Sequence, residues 1–384
     1  MNFKIILILA LCLIGTYTFG QENKIKKITI IEGNNPVLNF DYKKLGLPDS
    51  IQTVEYTELK KYVQSNISLK STDEPELFFE LMEWVSNQWK HNGWHVAPDS
   101  LNSLGILKSA KDDGQEYRCV EYGSVLHDVL MSFGYVARQV GIKHVDADYG
   151  GAGMGHVATE VWSNNYNKWI FLDPQFGIYA KHNDIPLNIY DIYKLKSNDQ
   201  FKEIRFIKND KKVKKDDYSK FLSNHLGYVN VSVKSNNLKY SLVLKLEGKR
   251  DYMVFQGFPI GNNEFTKNVE KLYFGLNQTM ILFDYVEAEY ERTQNEYSKL
   301  KVTTIKNFNE NMHLFSARPE FELSFDNNMP WFDHYTVKLN NEIVGIKNQK
   351  YLVSLNNGLN VIEVVAVNKN GLEGIPTVMT ISYQ

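Results

Sequence analysis

The sequence predicts an α+β core followed by one or more all-β, sandwich-like domains. Three observations lead there. Helix-period apolar stripes lie between residues 71 and 133, strand alternation crowds residues 135–174, and from Tyr228 onward the pattern is β with Asn- and Gly-rich turns. At 384 residues the chain is too long for one ordinary domain. With 43% hydrophobic and 23% charged residues it has the composition of a globular protein and not of a disordered one. The net charge of -2 supplies no electrostatic reason to expect nucleic acid or an anionic membrane surface as the main partner.

Residues 1–20 read as an export signal. Lys4 gives a short positive n-region, Ile5 to Ile14 is an unbroken apolar run, and Thr18-Phe19-Gly20 offers small residues at a cleavage site after Gly20. The run is too short for a stable membrane anchor. A lipoprotein signal acylated on Cys12 is the alternative, although Leu11 is larger than the residue that usually precedes a lipidated cysteine. No second hydrophobic segment follows. The expectation is an exported protein, periplasmic, cell-surface or secreted, with no transmembrane anchor in its mature form. Of the two cysteines only Cys119 would remain after cleavage. A lone cysteine in an exported chain is either buried and inert or a reactive thiol, and its surroundings must decide.

Along the chain, Lys27 to Ile31 alternates like a strand and Tyr56 to Val63 reads as a short helix. A clearer helix starts near Ser71-Thr72-Asp73 and Pro75. Leu77, Phe78, Leu81, Met82, Val85 and Trp89 fall on one face, and Asn92-Gly93 ends it. A second helix is expected from Cys119 to Phe133, its stripe made by Tyr122, Leu126, Val129, Leu130 and Phe133, with Gly134 stopping it. Gly114, ahead of it, would let the backbone turn sharply. Cys119 then lies in a first helical turn, where unpaired N–H groups and the helix dipole favour thiolate over thiol.

Tyr135 to Gly141 reads as a strand, and the loop Ile142 to Gly155 follows. It holds His144, Asp146 and Asp148, a weak echo of a calcium loop. The twelfth position from Asp146 is Val157, not the glutamate such a loop needs. The glycines Gly150, Gly151, Gly153 and Gly155 precede no Gly-Lys-Ser/Thr, so they are no phosphate cradle. No metal and no cofactor is expected.

His156 to Trp162 and Trp169 to Asp173 alternate as a strand pair around a turn at Ser163 to Lys168. If Trp162 pairs with Trp169, Ala158 faces Asp173, and His156 is its diagonal neighbour on the same face. A slip by one residue would part them. A cysteine at a helix start, a histidine opening one strand and an aspartate ending the next are the parts of a thiol nucleophile with its base and orienter.

Residues 182 to about 220 look like a connector, with the mixed-charge run Lys208 to Asp217 as a solvated segment. Strands are then expected at Val229–Val233, Tyr240–Leu246, Tyr252–Gln256 and Met280–Tyr285, and a last set from Glu320 to Tyr383 resembles the terminal strands of an immunoglobulin-like or fibronectin-like sandwich.

Cys119 with Tyr122, Leu126, Leu130 and Gly134-Tyr135-Val136-Ala137-Arg138, then His156-Val157-Ala158-Thr159-Glu160-Val161-Trp162, then Trp169-Ile170-Phe171-Leu172-Asp173-Pro174, resembles the transglutaminase-like superfamily. The resemblance covers roughly residues 70–180. It implies a papain-like α+β core, Cys119 as nucleophile, His156 as base, Asp173 as orienter, and protein or peptide as substrate. Gln115 is the candidate for the side-chain half of an oxyanion hole, with the N–H of Cys119 as the other half. Gly123 departs from the family, which more often has Ala or Ser there. The family includes protein cross-linking enzymes, peptidases, glycopeptide amidases and members that have lost activity. The expected function is therefore cysteine-dependent acyl transfer through a thioester, by hydrolysis or by transfer to an amine. The alternative is an inactive scaffold whose β domains bind protein or glycan. The expected division is a signal at 1–20, a core at 21–181, a connector at 182–227, a β-rich domain at 228–317 and an immunoglobulin- or fibronectin-like domain at 318–384.

Overall fold

A computed structural model of the chain describes residues 25–147, 154–209, 211–213, 216–235, 238–249, 262–284, 287–346 and 349–384. The expected export signal with Cys12, the loop residues Asp148 and Gly150–Gly153, and the strand expected at Tyr252–Gln256 lie outside the described residues. The architecture is mixed α/β, with several sheets and, among the described residues, eight α-helices.

After strand β1 (Ile28–Gly33) the chain builds four helices: α1 (Val54–Asn66), α2 (Glu76–Ser86), α3 (Ser103–Asp113) and α4 (Cys119–Ser132). In α1 the Thr53 hydroxyl caps the first turn by accepting the Tyr56 N–H at 3.3 Å. The apolar stripe of α2 is the expected one, with Leu77, Phe78, Leu81, Met82 and Val85 buried. Its N-cap is Pro75, however, and the helix ends at Ser86, so Trp89 reaches the core from beyond it. Helix α3 has no counterpart in the sequence reading. Its signals are nonetheless ordinary: the Asn102 side chain accepts the Gly105 N–H at 2.9 Å, and Gly114 closes the helix in the left-handed region at φ 65°. Helix α4 spans almost the expected residues. It buries Tyr122, Val125, Leu126, Val129 and Leu130 in one apolar cluster with the other three helices.

The largest sheet comprises β2 (Ala137–Lys143), β3 (Gly155–Ser163), β4 (Lys168–Asp173), β5 (Ile178–His182), β6 (Ile185–Pro186), β7 (Arg205–Lys208), β8 (Lys211–Lys212), β9 (Tyr228–Ser235), β10 (Leu238–Lys245) and β11 (Asn263–Thr266). Its order is β11-β10-β9-β2-β3-β4-β5-β7-β8, with β6 attached to β5. Helices α5 (Ile189–Ser197) and α6 (Asp216–Asn224) are threaded between these strands. One face, through Ala137, Val161, Ile170 and Leu172, packs on α1 to α4. The other, through Val140, Ile142, Ala158 and Phe171, packs on Ile189 and Ile192 of α5 and Tyr218 and Leu222 of α6.

This corrects the expected division. Residues 182–227 are not a spacer: β5, β7 and β8 extend the same sheet, and two helices from this stretch cover it. The charged run belongs partly to the hairpin β7–β8 at the sheet's edge, where charge on a short strand blocks further pairing. Strands β9 and β10 also join this sheet, because β9 pairs with β2 through Gly141–Asn230, Ile142–Val229 and Lys143–Tyr228.

A second region follows, with β12 (Thr279–Asp284), α7 (Glu287–Lys299), α8 (Ile305–Glu310), β13 (Glu320–Asn327), β14 (Phe332–Leu339), β15 (Glu342–Ile346), β16 (Lys350–Ser354), β17 (Gly358–Asn368) and β18 (Thr377–Tyr383). A five-stranded sheet, β1-β18-β17-β14-β15, shares one apolar core with a three-stranded sheet, β12-β13-β16. This C-terminal β region therefore takes its edge strand from the start of the chain. It also takes β12 from the stretch expected to form a separate domain at 228–317, where two helices also appear.

Candidate active site

The expected register is present: Trp162 pairs with Trp169 and Thr159 with Leu172. His156 and Asp173 thus share the face covered by α5 and α6. The His156 Nε2 lies 2.9 Å from Asp173 Oδ2, with His156 4% and Asp173 0% exposed. A carboxylate buried this completely must be satisfied by donors. Oδ2 also accepts the Tyr218 hydroxyl at 2.8 Å, and Oδ1 accepts the Phe176 N–H at 3.4 Å. The imidazole is enclosed edgewise by Phe176 and Phe221, with ring centroids 5.7 and 5.2 Å away.

Helix α4 packs on the opposite face of the sheet, and its first residue reaches the start of β3. Two features allow this approach. Gly123 has no side chain where a Cβ would come within 2.9 Å of Val157 Cγ1. The Thr159 hydroxyl donates to the Gly123 carbonyl at 3.3 Å, and Gln139 of β2 reaches the Ser124 hydroxyl at 2.6 Å. Glycine at position 123 thus has a packing reason. The helix start is itself tied down. The Glu121 carboxylate accepts the Arg118 N–H at 3.1 Å, pairs with the Arg118 guanidinium at 2.7 Å, and accepts the Ala97 N–H at 3.3 Å.

Cys119 is half-buried. Burial pushes its thiol up. The hydrogen bond and charge of His156, together with the Val157 N–H, outweigh burial and hold the thiol below its ordinary value. Burial also disfavours a charged His156. The Asp173 carboxylate and then Cys119 outweigh it, and the imidazole is raised to about 10. Both directions favour a thiolate–imidazolium pair, a coupled unit and not two independent groups. Because Nε2 serves Asp173, Nδ1 is the nitrogen left for the sulfur.

Two further titratable groups lie within electrostatic reach of this pair. Lys143, at the end of β2, is opposite Gly155, and its ammonium is lowered by burial while the Cys119 charge acts to raise it. His91 is lowered by burial and then by the charge on His156.

Cys119, His156 and Asp173 therefore come together. Gln115 sits four residues before Cys119, in the turn closing α3, with its N–H on the Ser109 carbonyl at 3.3 Å. The backbone N–H of Cys119 is among those that a first helical turn leaves without an intrahelical partner. Sequence reasoning missed Tyr218 and Phe221. The period Tyr218, Phe221, Leu222, His225 was there to be read as one helix face, but the charged run before it suggested a linker. Among the described residues no group of His, Cys, Asp or Glu side chains is placed to hold a metal ion, and no helix is long and apolar enough to cross a membrane. Compared with known proteins, the sequence matches no family model and no curated protein.

Proposed function

We propose that this protein is an exported cysteine-dependent acyl-transfer enzyme. It would be built on a papain-like core of the transglutaminase-like type, with an immunoglobulin- or fibronectin-like C-terminal β region, and would act on peptide or carboxamide bonds. The observation that carries this reading is the Cys119 thiol at a helix start beside an imidazole whose other nitrogen is held by a buried carboxylate. In the reaction, the Cys119 sulfur attacks the carbonyl carbon, and the negative charge moves to the carbonyl oxygen, which the first-turn N–H of Cys119 stabilises. His156 Nδ1 gives its proton to the leaving nitrogen, the C–N bond breaks, and a thioester remains. Water or a primary amine then attacks the thioester, His156 takes its proton, and the C–S bond breaks to restore the thiolate–imidazolium pair. Asp173 keeps the ring oriented and balances its charge throughout.

The test is product analysis with a glutamine-containing peptide, with and without a primary amine. Deamidation or peptide cleavage indicates hydrolysis, and an amine adduct indicates transfer. A Cys119 that never acquires an acyl group from any peptide or carboxamide, and that alkylates at the same rate folded and unfolded, would overturn the reading.

A further inference from the structure

The Asp173 carboxylate serves two donors through one oxygen. His156 Nε2 lies 2.9 Å and the Tyr218 hydroxyl 2.8 Å from the same Oδ2. Tyr218 comes from α6, the element that closes the buried face of the strand pair, and is 6% exposed. Its ring is fixed independently of its hydroxyl, by Phe176 at 5.1 Å, Phe206 at 5.3 Å and Phe221 at 6.2 Å. Those neighbours hold the phenol's position, so the hydroxyl arrives at the carboxylate already aimed.

We propose that Tyr218 is a positioning residue of the site, whose hydroxyl orients the Asp173 carboxylate and limits how strongly that carboxylate stabilises the imidazolium of His156. The inference rests on the acyl-transfer reading above for its consequence in turnover, but its electrostatic part does not need a substrate. A donor on Oδ2 draws charge density from the oxygen that faces the imidazolium. The balance matters because an imidazolium held too strongly is a poor proton donor to the leaving group. Burial, and then the charge of Asp173, push the Tyr218 phenol well above its ordinary range, which favours its neutral, donating form.

The titratable groups facing His156 and its partners come from five elements. They are Cys119 of α4, Asp173 of β4, Tyr218 of α6, Lys143 of β2 and His91 of the segment after α2. His225, just past the end of α6, lies one ring further out, 4.3 Å from Phe221, with its Nδ1 on the Phe221 carbonyl at 2.8 Å. Of these, only Asp173 and Tyr218 share an oxygen with the His156 hydrogen bond, which lets one substitution separate their effects.

The experiment compares Tyr218→Phe with Asp173→Asn in the full chain, reading the His156 ring titration by NMR on histidine-labelled protein and turnover on the peptide substrate. Tyr218→Phe keeps the ring and its packing. Its expected result is a His156 midpoint raised by roughly one pH unit and kcat lowered about tenfold. Asp173→Asn should move the midpoint down. A folded Tyr218→Phe protein with an unchanged or lowered midpoint overturns the inference, since a merely structural role would reduce stability without moving the titration upward. A protein without acyl-transfer activity whose Tyr218→Phe midpoint still rises supports the inference and overturns only the reading of the reaction. Should Tyr218→Phe fail to fold, the parent protein decides: a Tyr218 hydroxyl proton protected from exchange, with a cross-peak to the His156 ring, is expected, and its absence overturns the proposal.

Discussion

The sheet that carries the site and the C-terminal sandwich bury their polar groups in different ways. In the sheet that carries the site, four of the buried polar side chains are ionisable and bonded to one another in pairs. His156 meets Asp173, and Arg138 meets Glu160 at 2.6 Å with 4% and 0% exposure. Glu160 also accepts the Ile189 N–H at 3.0 Å and the Tyr273 hydroxyl at 3.2 Å, while the Arg138 guanidinium bonds the Leu272 carbonyl and lies over the Trp169 ring at 4.0 Å. In the sandwich the buried polar side chains are mostly neutral and bind backbone. Asn360 accepts the Asn356 N–H at 2.9 Å and donates to its carbonyl at 2.8 Å, and the Thr279 hydroxyl accepts the Ala366 N–H at 3.1 Å. The sandwich uses buried polarity to satisfy turns and strand ends, which any β core must do. The first region uses it to hold charges at fixed places in a dry interior, where each charge needs a named partner.

Substitutions can separate these two uses. The largest effect is expected from Cys119→Ala, which should lower acyl transfer by about 10⁴-fold or more while leaving the denaturant midpoint of the sandwich core in place. Retained turnover would mean the chemistry lies elsewhere. Next, Asp173→Asn should reduce turnover on the order of 10³- to 10⁴-fold and carry a pH signature. The folded His156 is raised from 6.5 to about 10, so its stabilising contribution is complete below the unfolded value and lost as pH rises through the folded one. Asp173→Asn should lower that upper bound, and urea melts at pH 6, 8 and 10 would show the parent losing stability across this range and the variant losing less.

A paired measurement tests the structural side of the comparison. Glu160→Gln leaves Arg138 buried without its counter-ion and should cost about 3–5 kcal/mol. Ile362→Ala, an apolar deletion in the sandwich core, should cost about 2–5 kcal/mol. Urea unfolding reads both, and Cys119 alkylation at pH 6 should be unchanged in a folded Ile362→Ala protein. If alkylation slows there too, the two regions are coupled more tightly than their separate cores imply. The smallest effect is expected for Gly123→Ala. Its Cβ would meet Val157 Cγ1 at 2.9 Å. Relieving that contact should cost about 1–3 kcal/mol and shift α4 away from β3. Slower alkylation of Cys119 at pH 6 would show that the helix start has lost contact with His156, and an unchanged rate would show that Val157 can give way alone.

The local chemistry of the site was legible because its signals are short-range. A helix stripe ending at Gly134 places Cys119 in a first turn, and the alternation of His156–Trp162 against Trp169–Asp173 puts base and orienter on one face for every register that keeps Trp162 and Trp169 in phase. Helix α3 was legible in principle, from Asn102 and Gly114, and was overlooked because its apolar positions are few. What no local pattern contains is the partner of a strand or the face a helix will cover. Strand β1 reads as a strand from its own residues, but its pairing with β18 joins the two ends of the chain. The segment around Tyr218 reads as charged linker until α6 is seen closed over Asp173. Periodicity along the chain determined the elements and the face on which His156 and Asp173 stand. Contacts between residues far apart in sequence, whose free energy depends on what each buried surface meets, decided which elements enclose that face and which hydroxyl completes it.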